Sequence, residues 1–384
     1  MIQTNFEIKK SNTVKFFRIL REKKILSRME LKELTGLSWG SVSAISNELL
    51  QKQLILAEKE SVTTGRPPEK LTINPLAKLS LGIDVNSVGL SFNVVNLAGD
   101  SVYSTFSPLQ SHRKADLLSL LEGEIETILS RFPSLIGINL SMQGKLNRKT
   151  GISVRTNFFK DWKDIPLVQI FEERFRIPTR LYHDPESLLT YHLNTDPRLG
   201  DAENGIVIRV DDGIGMAQLV NGRLYETGDE TSCELGHTIA VPGGILCACG
   251  KLGCLESYSS LRGMRNAYYQ SESPASKAHF PTFLIYRDER AEEIMKEACR
   301  HLGIAIANLF TLSAPSFILL DGLVTEQVPG FYEEVLKSTE RYLHADCNLL
   351  KAHYRRDAAA VGACMLTIDK RLEEILFEDT VCPV

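Results

Sequence analysis

Residues 233–256 read CELGHTIAVPGGILCACGKLGCLE and combine one histidine with four cysteines, three of them closely spaced. The candidate ligands follow the spacing H-x9-C-x-C-x4-C and are His237, Cys247, Cys249 and Cys254. Thiolate and imidazole are the ligands that tetrahedral zinc prefers, and four of them leave no position for water. Four unrelated core residues are the simplest alternative, because cysteine is often buried. Three cysteines within eight residues, with glycines between them, favour a structural zinc site.

Two glutamates, Glu234 and Glu256, border this cysteine cluster. An ionised carboxylate has several acceptor positions, so a carboxylate held beside a rigid metal site can bind the hydroxyl groups of a sugar. Glutamate more often lies solvated on the surface, and the spacing alone fits both interpretations.

The composition indicates a soluble protein of several domains. A chain of 384 residues is too long for one ordinary core, so two or three domains are expected. It has no run of about 18 or more apolar residues and no apolar signal segment, which predicts a cytoplasmic protein without a membrane partner. The clustered cysteines fit metal binding better than disulfides. Four others are scattered and are interpreted as ordinary thiols: Cys299, Cys347, Cys364 and Cys382.

The net charge of −4 is unevenly distributed along the chain. Residues 1–80 contain 14 basic and 8 acidic side chains, a net +6, which leaves −10 for the remainder. A basic head on an acidic body suggests that the head alone binds a polyanion.

The N-terminal residues have the pattern of a helix-turn-helix. Apolar residues recur at helical spacing over 12–24, and a capping box at Ser27 opens a second helix through Leu34. A turn at 35–38 leads to a third helix over about 38–52, which in such motifs lies in the major groove. The predicted base-reading face of that helix consists of Ser38, Trp39, Ser41, Ser43 and Asn47.

Two strands, at 54–57 and 69–73, flank a polar loop and resemble a wing. The loop contains Arg66 between glycine and proline, and an arginine so restricted can enter a narrow minor groove. A plain interdomain linker would have the same composition. With the basic excess, the pattern favours a winged helix-turn-helix domain at residues 1–78 that binds double-stranded DNA.

From residue 79 strands alternate with helices, which is typical of an α/β architecture. The predicted strands are 81–85, 90–96, 101–107, 135–140, 179–183, 206–210, 216–220 and 317–320. The predicted helices are 114–130, 289–312 and 358–373.

The chain resembles the ROK family (repressors, open reading frames and sugar kinases), specifically its repressor branch, over nearly its whole length. The motifs that carry the resemblance are Ser27-Arg28, Thr35-Gly36-Leu37-Ser38, Gly65-Arg66-Pro67, Glu234-Leu235-Gly236-His237 and the block 247–256. The last two are specific to the family, whereas the helix-turn-helix occurs in many regulators.

The resemblance implies a two-lobed, actin-like body of the ribonuclease-H type that binds a sugar between its lobes. The first lobe would span 79–184, completed by about 365–384, and the second, with the zinc site, 185–364. The residues that match sugar-contacting positions are Asn157, Asp184, Glu234, His237 and Glu256. Asp184 matches the catalytic base of kinase members. His237 would contact sugar with one ring nitrogen and zinc with the other.

The segments that hold ATP in family kinases are degenerate here. Their first phosphate turn is rich in glycine, but residues 84–89 read DVNSVG, whose side chains obstruct close approach of phosphate to the backbone. The second phosphate loop reads VDDG at 210–213, where two carboxylates would repel a triphosphate. These departures predict a protein that is not an enzyme.

The leading hypothesis is a sugar-responsive DNA-binding regulator, a repressor, acting as a homodimer or homotetramer. A sugar or sugar phosphate that closes the lobes would change the spacing of paired heads on DNA. Two alternatives remain open: an active sugar kinase with a DNA-binding head, and a DNA-bound regulator controlled by a protein partner.

Overall fold

The computed structural model describes residues 5–59, 69–156, 158–159, 161–225, 233–269, 282–285 and 287–377. Arg66, Asn157 and Cys382 lie outside these residues. Within the described part of the chain, no helix has the length and apolar character required to cross a membrane.

The N-terminal head is a winged helix-turn-helix, as predicted. Its elements are α1 (Asn5–Lys23), β1 (Ile25–Ser27), α2 (Arg28–Thr35), α3 (Trp39–Gln51), β2 (Ile55–Lys59) and β3 (Glu69–Ile73). The strands form an antiparallel sheet in the order β1-β3-β2. Strand β1 was not expected, because its three residues are too few to show a periodic pattern.

The capping box predicted at Ser27 is present at the start of α2. The Glu30 N–H donates to Ser27 Oγ at 3.2 Å, and the Ser27 N–H donates to Glu30 Oε2 at 2.7 Å. Gly36 ends the helix with a φ of 69°, a left-handed conformation that glycine adopts without strain. These two signals set the length of α2 and therefore the position of the turn before α3.

Ser27→Ala is expected to lower the stability of the head by about 1 kcal/mol, because the Glu30 N–H loses its acceptor. Urea unfolding followed by circular dichroism measures the change. Ser27→Thr retains a capping hydroxyl and serves as the control. An alanine variant that unfolds at the wild-type urea concentration would contradict the capping role.

The first lobe is built on a five-stranded sheet. Its strands are β4 (Leu79–Val85), β5 (Gly89–Asn96), β6 (Ser101–Pro108), β7 (Leu135–Met142) and β10 (Thr179–His183), in the order β10-β7-β4-β5-β6. Strands β4 to β6 are antiparallel neighbours, whereas β7 and β10 continue the sheet in parallel. The other elements of this part of the chain are α4 (Lys114–Arg131), β8 (Lys145–Asn147), β9 (Ile152–Arg155) and α5 (Leu167–Phe175).

The second lobe repeats the same strand order. Its sheet contains β11 (Gly205–Val210), β12 (Ile214–Val220), β13 (Arg223–Leu224), β14 (Ile318–Asp321) and β15 (Leu349–Lys351), in the order β13-β12-β11-β14-β15. Its first three strands are antiparallel and the last two are parallel, as in the first lobe. The helices here are α6 (Asp184–Thr195), α7 (Glu256–Ser259), α8 (Leu261–Tyr269), α9 (Glu289–Ser313), α10 (Leu323–Gln327) and α11 (Phe331–Leu343).

The last helix, α12 (Ala358–Phe377), connects the head with the body. Many of its buried apolar residues, among them Ile368, Leu372 and Leu376, belong to the same core cluster as the buried residues of the head. At the polar edge of this contact, Arg21 pairs with Asp369 at 2.6 Å and the Lys52 Nζ donates to the Leu376 carbonyl at 2.9 Å. On its other side α12 packs against α6 and β4. The head is therefore packed onto the body largely through this helix, and Lys24 Nζ lies 3.7 Å from Asp100 Oδ1 of the first lobe as a further contact.

Candidate functional site

A cleft of about 830 Å³ is lined by residues of both lobes. Four of the five residues predicted to bind sugar line this cleft, namely Asp184, Glu234, His237 and Glu256. The fifth, Asn157, lies outside the described residues. Other residues that line the cleft are Phe158, Trp162, Glu186, Asp212, Lys251 and Arg262.

Asp184 is the first residue of α6, directly after β10, and its Cα therefore lies at the carboxyl end of a parallel strand. Pro185 follows at the first helical turn, where its missing N–H costs nothing. The residue is 4% exposed, and burial raises the pKa of its carboxyl to about 7, against the opposing effect of Arg209. The Arg209 Nη1 donates to Asp184 Oδ2 at 3.0 Å.

Glu256 begins α7, and both of its carboxylate oxygens have partners. The Ile214 N–H donates to Oε2 at 3.1 Å, and the Arg262 Nη2 donates to Oε1 at 2.6 Å. Gly213 packs so closely that a Cβ there would lie 2.6 Å from Glu256 Oε2. The carboxylate is thus held rigidly, and its remaining lone pairs are available to a ligand.

Glu234 and His237 lie at the two ends of a short 3-10 turn that includes Leu235–His237. Glu234 Oε2 is 4.0 Å from His237 Nε2, and burial raises the pKa of the Glu234 carboxyl. The other ring nitrogen of His237, Nδ1, is 3.7 Å from Cys247 Sγ. The two ring nitrogens therefore face different groups.

The four predicted metal ligands come together in the structure. The ligand atoms of His237, Cys247, Cys249 and Cys254 all lie within 4.8 Å of one another. Cys249 Sγ is 3.6 Å from Cys254 Sγ. Zinc–sulfur bonds of about 2.3 Å in a tetrahedron place two sulfurs about 3.8 Å apart, so this cluster has dimensions that fit a metal ion.

The turn after β4 does not offer its backbone to a phosphate. The Val88 and Gly89 N–H groups both donate to Asn86 Oδ1, at 3.0 and 3.1 Å. The Asn86 Nδ2 in turn donates to Asp84 Oδ2 at 2.9 Å. A turn whose donors are already satisfied by a side chain is a poor cradle for an anion.

On α3, the side chains of Trp39 and Asn47 are exposed, Trp39 by 51%, and Ser43 is half-buried. Ser38 caps the helix by accepting the Ser41 N–H at 3.1 Å, so these two serines are partly engaged with each other. The Asn47 side chain accepts from Arg28 at 3.2 Å. The same exposed face also contains Gly40 and Ala44, whose lack of polar side-chain groups gave the sequence analysis no reason to include them.

Comparison with known proteins decides the family, because the ROK family pattern matches residues 80–370 of this chain. The chain belongs to the ROK family. It is 25% identical to the xylose repressor of Bacillus spizizenii over 375 residues, covering 95% of this chain and 97% of the repressor. It is also 25% identical to the DNA-binding transcriptional dual regulator NagC of Escherichia coli, covering 83% of this chain and 82% of NagC.

Two solved structures of ROK proteins show the same fold. A ROK transcriptional regulator, described as a homologue of the Escherichia coli Mlc protein, superimposes with a TM-score of 0.77 at 23% identity and covers 96% of this chain and 98% of its own. A ROK hexokinase from Thermus thermophilus has a TM-score of 0.63 at 25% identity and covers 76% of this chain and 99% of its own. The actin-like body predicted from the motifs is confirmed.

Sequence reasoning missed the arginines in and beside this ROK cleft. The guanidinium of Arg262 lies between Glu256 and Asp212, and Arg265 is 3.6 Å from Asp212. Arg209 contacts Asp211. Both carboxylates of the loop 210–213 are thus paired with cations, so their simple repulsion of a phosphate is not the main obstacle. A charged residue in an otherwise apolar strand was the one available signal for Arg209.

Proposed function

We propose that this ROK protein is a cytoplasmic transcriptional regulator that represses genes for carbohydrate use. The head at residues 1–78 binds double-stranded DNA. The cleft between the lobe at 79–184, completed by about 365–384, and the lobe at 185–364 binds a sugar or sugar phosphate. The observation that carries the proposal is a winged helix-turn-helix packed onto a ROK body whose cleft is lined by carboxylates. Similarity to a xylose repressor along almost the full length supports it.

The exposed face of α3 recognises the DNA. Trp39, Ser43 and Asn47 reach base edges, while Ser38 and Ser41 fix the start of the helix. Arg66 probes the minor groove from the wing loop. Two heads of a homodimer or homotetramer read paired half-sites, and lobe closure changes their separation.

Sugar hydroxyls are bound by the carboxylates of Asp184, Glu234 and Glu256, with Asn157 as a further contact. His237 donates or accepts through Nε2 and ligates the metal through Nδ1. We assign Zn²⁺ to the cluster of His237 and three cysteines. Its ligand set is complete without water, so the metal has a structural role and holds Glu234 and Glu256 in place.

Phosphoryl transfer is not part of the proposed function. The turn at 84–89 uses its N–H groups internally, and Asp184, which matches the kinase base, is paired with buried Arg209. A coupled assay for ADP formation with a panel of sugars is expected to show no turnover. Turnover abolished by Asp184→Asn would establish the kinase instead.

The proposed function is tested by a mobility shift on DNA from the upstream region of the gene, repeated with a panel of sugars and sugar phosphates. One member of the panel is expected to abolish or strengthen the shift. Asp184→Asn should retain DNA binding but weaken the response to that sugar about 10- to 100-fold, because it removes a charge-assisted hydrogen bond.

Asp346→Asn, an exposed carboxylate outside the cleft, is the matched control and should respond like the wild type. A shift that no sugar alters would favour control by a protein partner. Absence of any shift would refute the DNA-binding proposal.

A further inference from the structure

Arg209 is the one charged residue of β11, whose six residues are all buried. It is 6% exposed and lies behind the cleft-lining residue Asp184, where its guanidinium meets three aspartates. The resemblance carries over no role for this arginine, and the proposed function uses it only as the partner of Asp184.

The three contacts of the guanidinium reach both lobes. Its Nε donates to Asp211 Oδ2 at 2.6 Å, just beyond the end of its own strand. Its Nη1 donates to Asp184 Oδ2 at 3.0 Å, and its Nη2 is 3.6 Å from Asp84 Oδ2 on β4 of the first sheet. Asp184 follows β10, which belongs to that same first sheet. One side chain of the second sheet is thus held by carboxylates attached to the first.

The cluster contains more negative than positive groups. Burial raises the pKa of both Asp84 and Asp184, the latter to about 7. Burial alone would lower the pKa of Arg209, but Asp211, Asp84 and Asp184 raise it above its usual value. Asp84 Oδ1 is buried and has no hydrogen-bond partner among the described residues. Removal of the cation from such a cluster would leave buried carboxylates uncompensated, which is strongly destabilising.

We propose that Arg209 is an internal counter-ion that ties the two sheets together beside the cleft residue Asp184, in the role that a bound divalent cation would serve between carboxylates. The guanidinium supplies the charge permanently, so the lobes are joined without a metal ion or a phosphate ligand. It also positions Asp184 by engaging Oδ2, which leaves the other oxygen for a ligand.

Thermal unfolding of the full-length chain, with and without millimolar MgCl₂ and without sugar or DNA, tests this role. Arg209→Gln is expected to melt several degrees below the wild type, because three carboxylates lose their shared cation. Magnesium should then raise the melting temperature of the variant but not that of the wild type. Because neither sugar nor DNA is present, the result is independent of the proposed function.

Arg148→Gln is the matched control, because the one carboxylate that Arg148 pairs with among the described residues is Glu186, at 2.7 Å. It should show no response to magnesium. Wild-type melting of Arg209→Gln, or a magnesium response no larger than that of the control, would overturn the proposal.

Asp84→Asn provides a second test that does not depend on Arg209→Gln folding. It removes the carboxylate with the unpartnered oxygen and leaves the guanidinium with two anions, so it is expected to melt no lower than the wild type. Combined with Arg209→Gln, it should recover part of the lost melting temperature and abolish the magnesium response. Melting of the single variant well below the wild type would contradict the counter-ion role.

Discussion

The purified chain is expected to contain one zinc ion, and Cys249→Ser is expected to lose it. Three remaining ligands hold zinc less tightly than four, and serine is a poor substitute for thiolate. Structural zinc is worth about 10–16 kcal/mol in zinc-finger peptides at neutral pH, so this change should have the largest effect on local structure. The turns that hold Glu234 and Glu256 would lose their anchor, and the response to sugar would be lost with them.

Elemental analysis of the metal content and the sugar-dependent mobility shift together measure this effect. Cys347→Ser is the matched control, because Cys347 is a half-buried thiol outside the cluster. It should retain both zinc and the sugar response. If Cys249→Ser retained both its zinc and its response to sugar, the ligand assignment would be wrong.

Gly362→Ala is expected to destabilise the protein by about 3 kcal/mol, at the upper end of the usual cost of overpacking. A Cβ at this position of α12 would lie 1.8 Å from the Ser187 carbonyl oxygen of α6, so one helix must move. The three atoms nearest to the added Cβ all belong to the Ser187 backbone, so no flexible side chain can move aside. Because α12 also carries the head, the variant should bind DNA more weakly.

Gly123→Ala in α4 is the matched control, since no atom lies within 4 Å of its added Cβ. Alanine is the better helix former, so this variant should gain about 0.5–1 kcal/mol. Both changes are measured by urea unfolding followed by circular dichroism. If Gly362→Ala were as stable as Gly123→Ala, the helices would not be in the close contact described above.

The fold was largely predictable because its signals are local or strongly repeated. The capping box at Ser27 and the periodic strands that follow residue 79 depend on neighbours in the sequence. The cysteine cluster was equally predictable from the sequence, because one short segment contributes its three thiols. Four of the five candidate sugar-binding residues lie in one cleft, and their sugar contacts remain a prediction.

The interactions that were not predicted join residues far apart in the chain. Arg209 and Asp84 are separated by 125 positions, and no local pattern pairs them. Asn86 was considered only as an obstacle to phosphate, whereas its side chain satisfies the N–H groups of its own turn. The packing of the head on α12 was also missed, because an apolar helix face does not identify the surface that it covers.

The use of α12 by both head and body has a consequence for the synthesis of the protein. The head precedes the body in the sequence, yet part of its core comes from Leu372, Ile375 and Leu376, which are translated long after it. The head of a nascent chain therefore retains an uncovered apolar surface until the ribosome has passed residue 377. A chain terminated before α12 would carry α3 without the apolar surface on which the head packs.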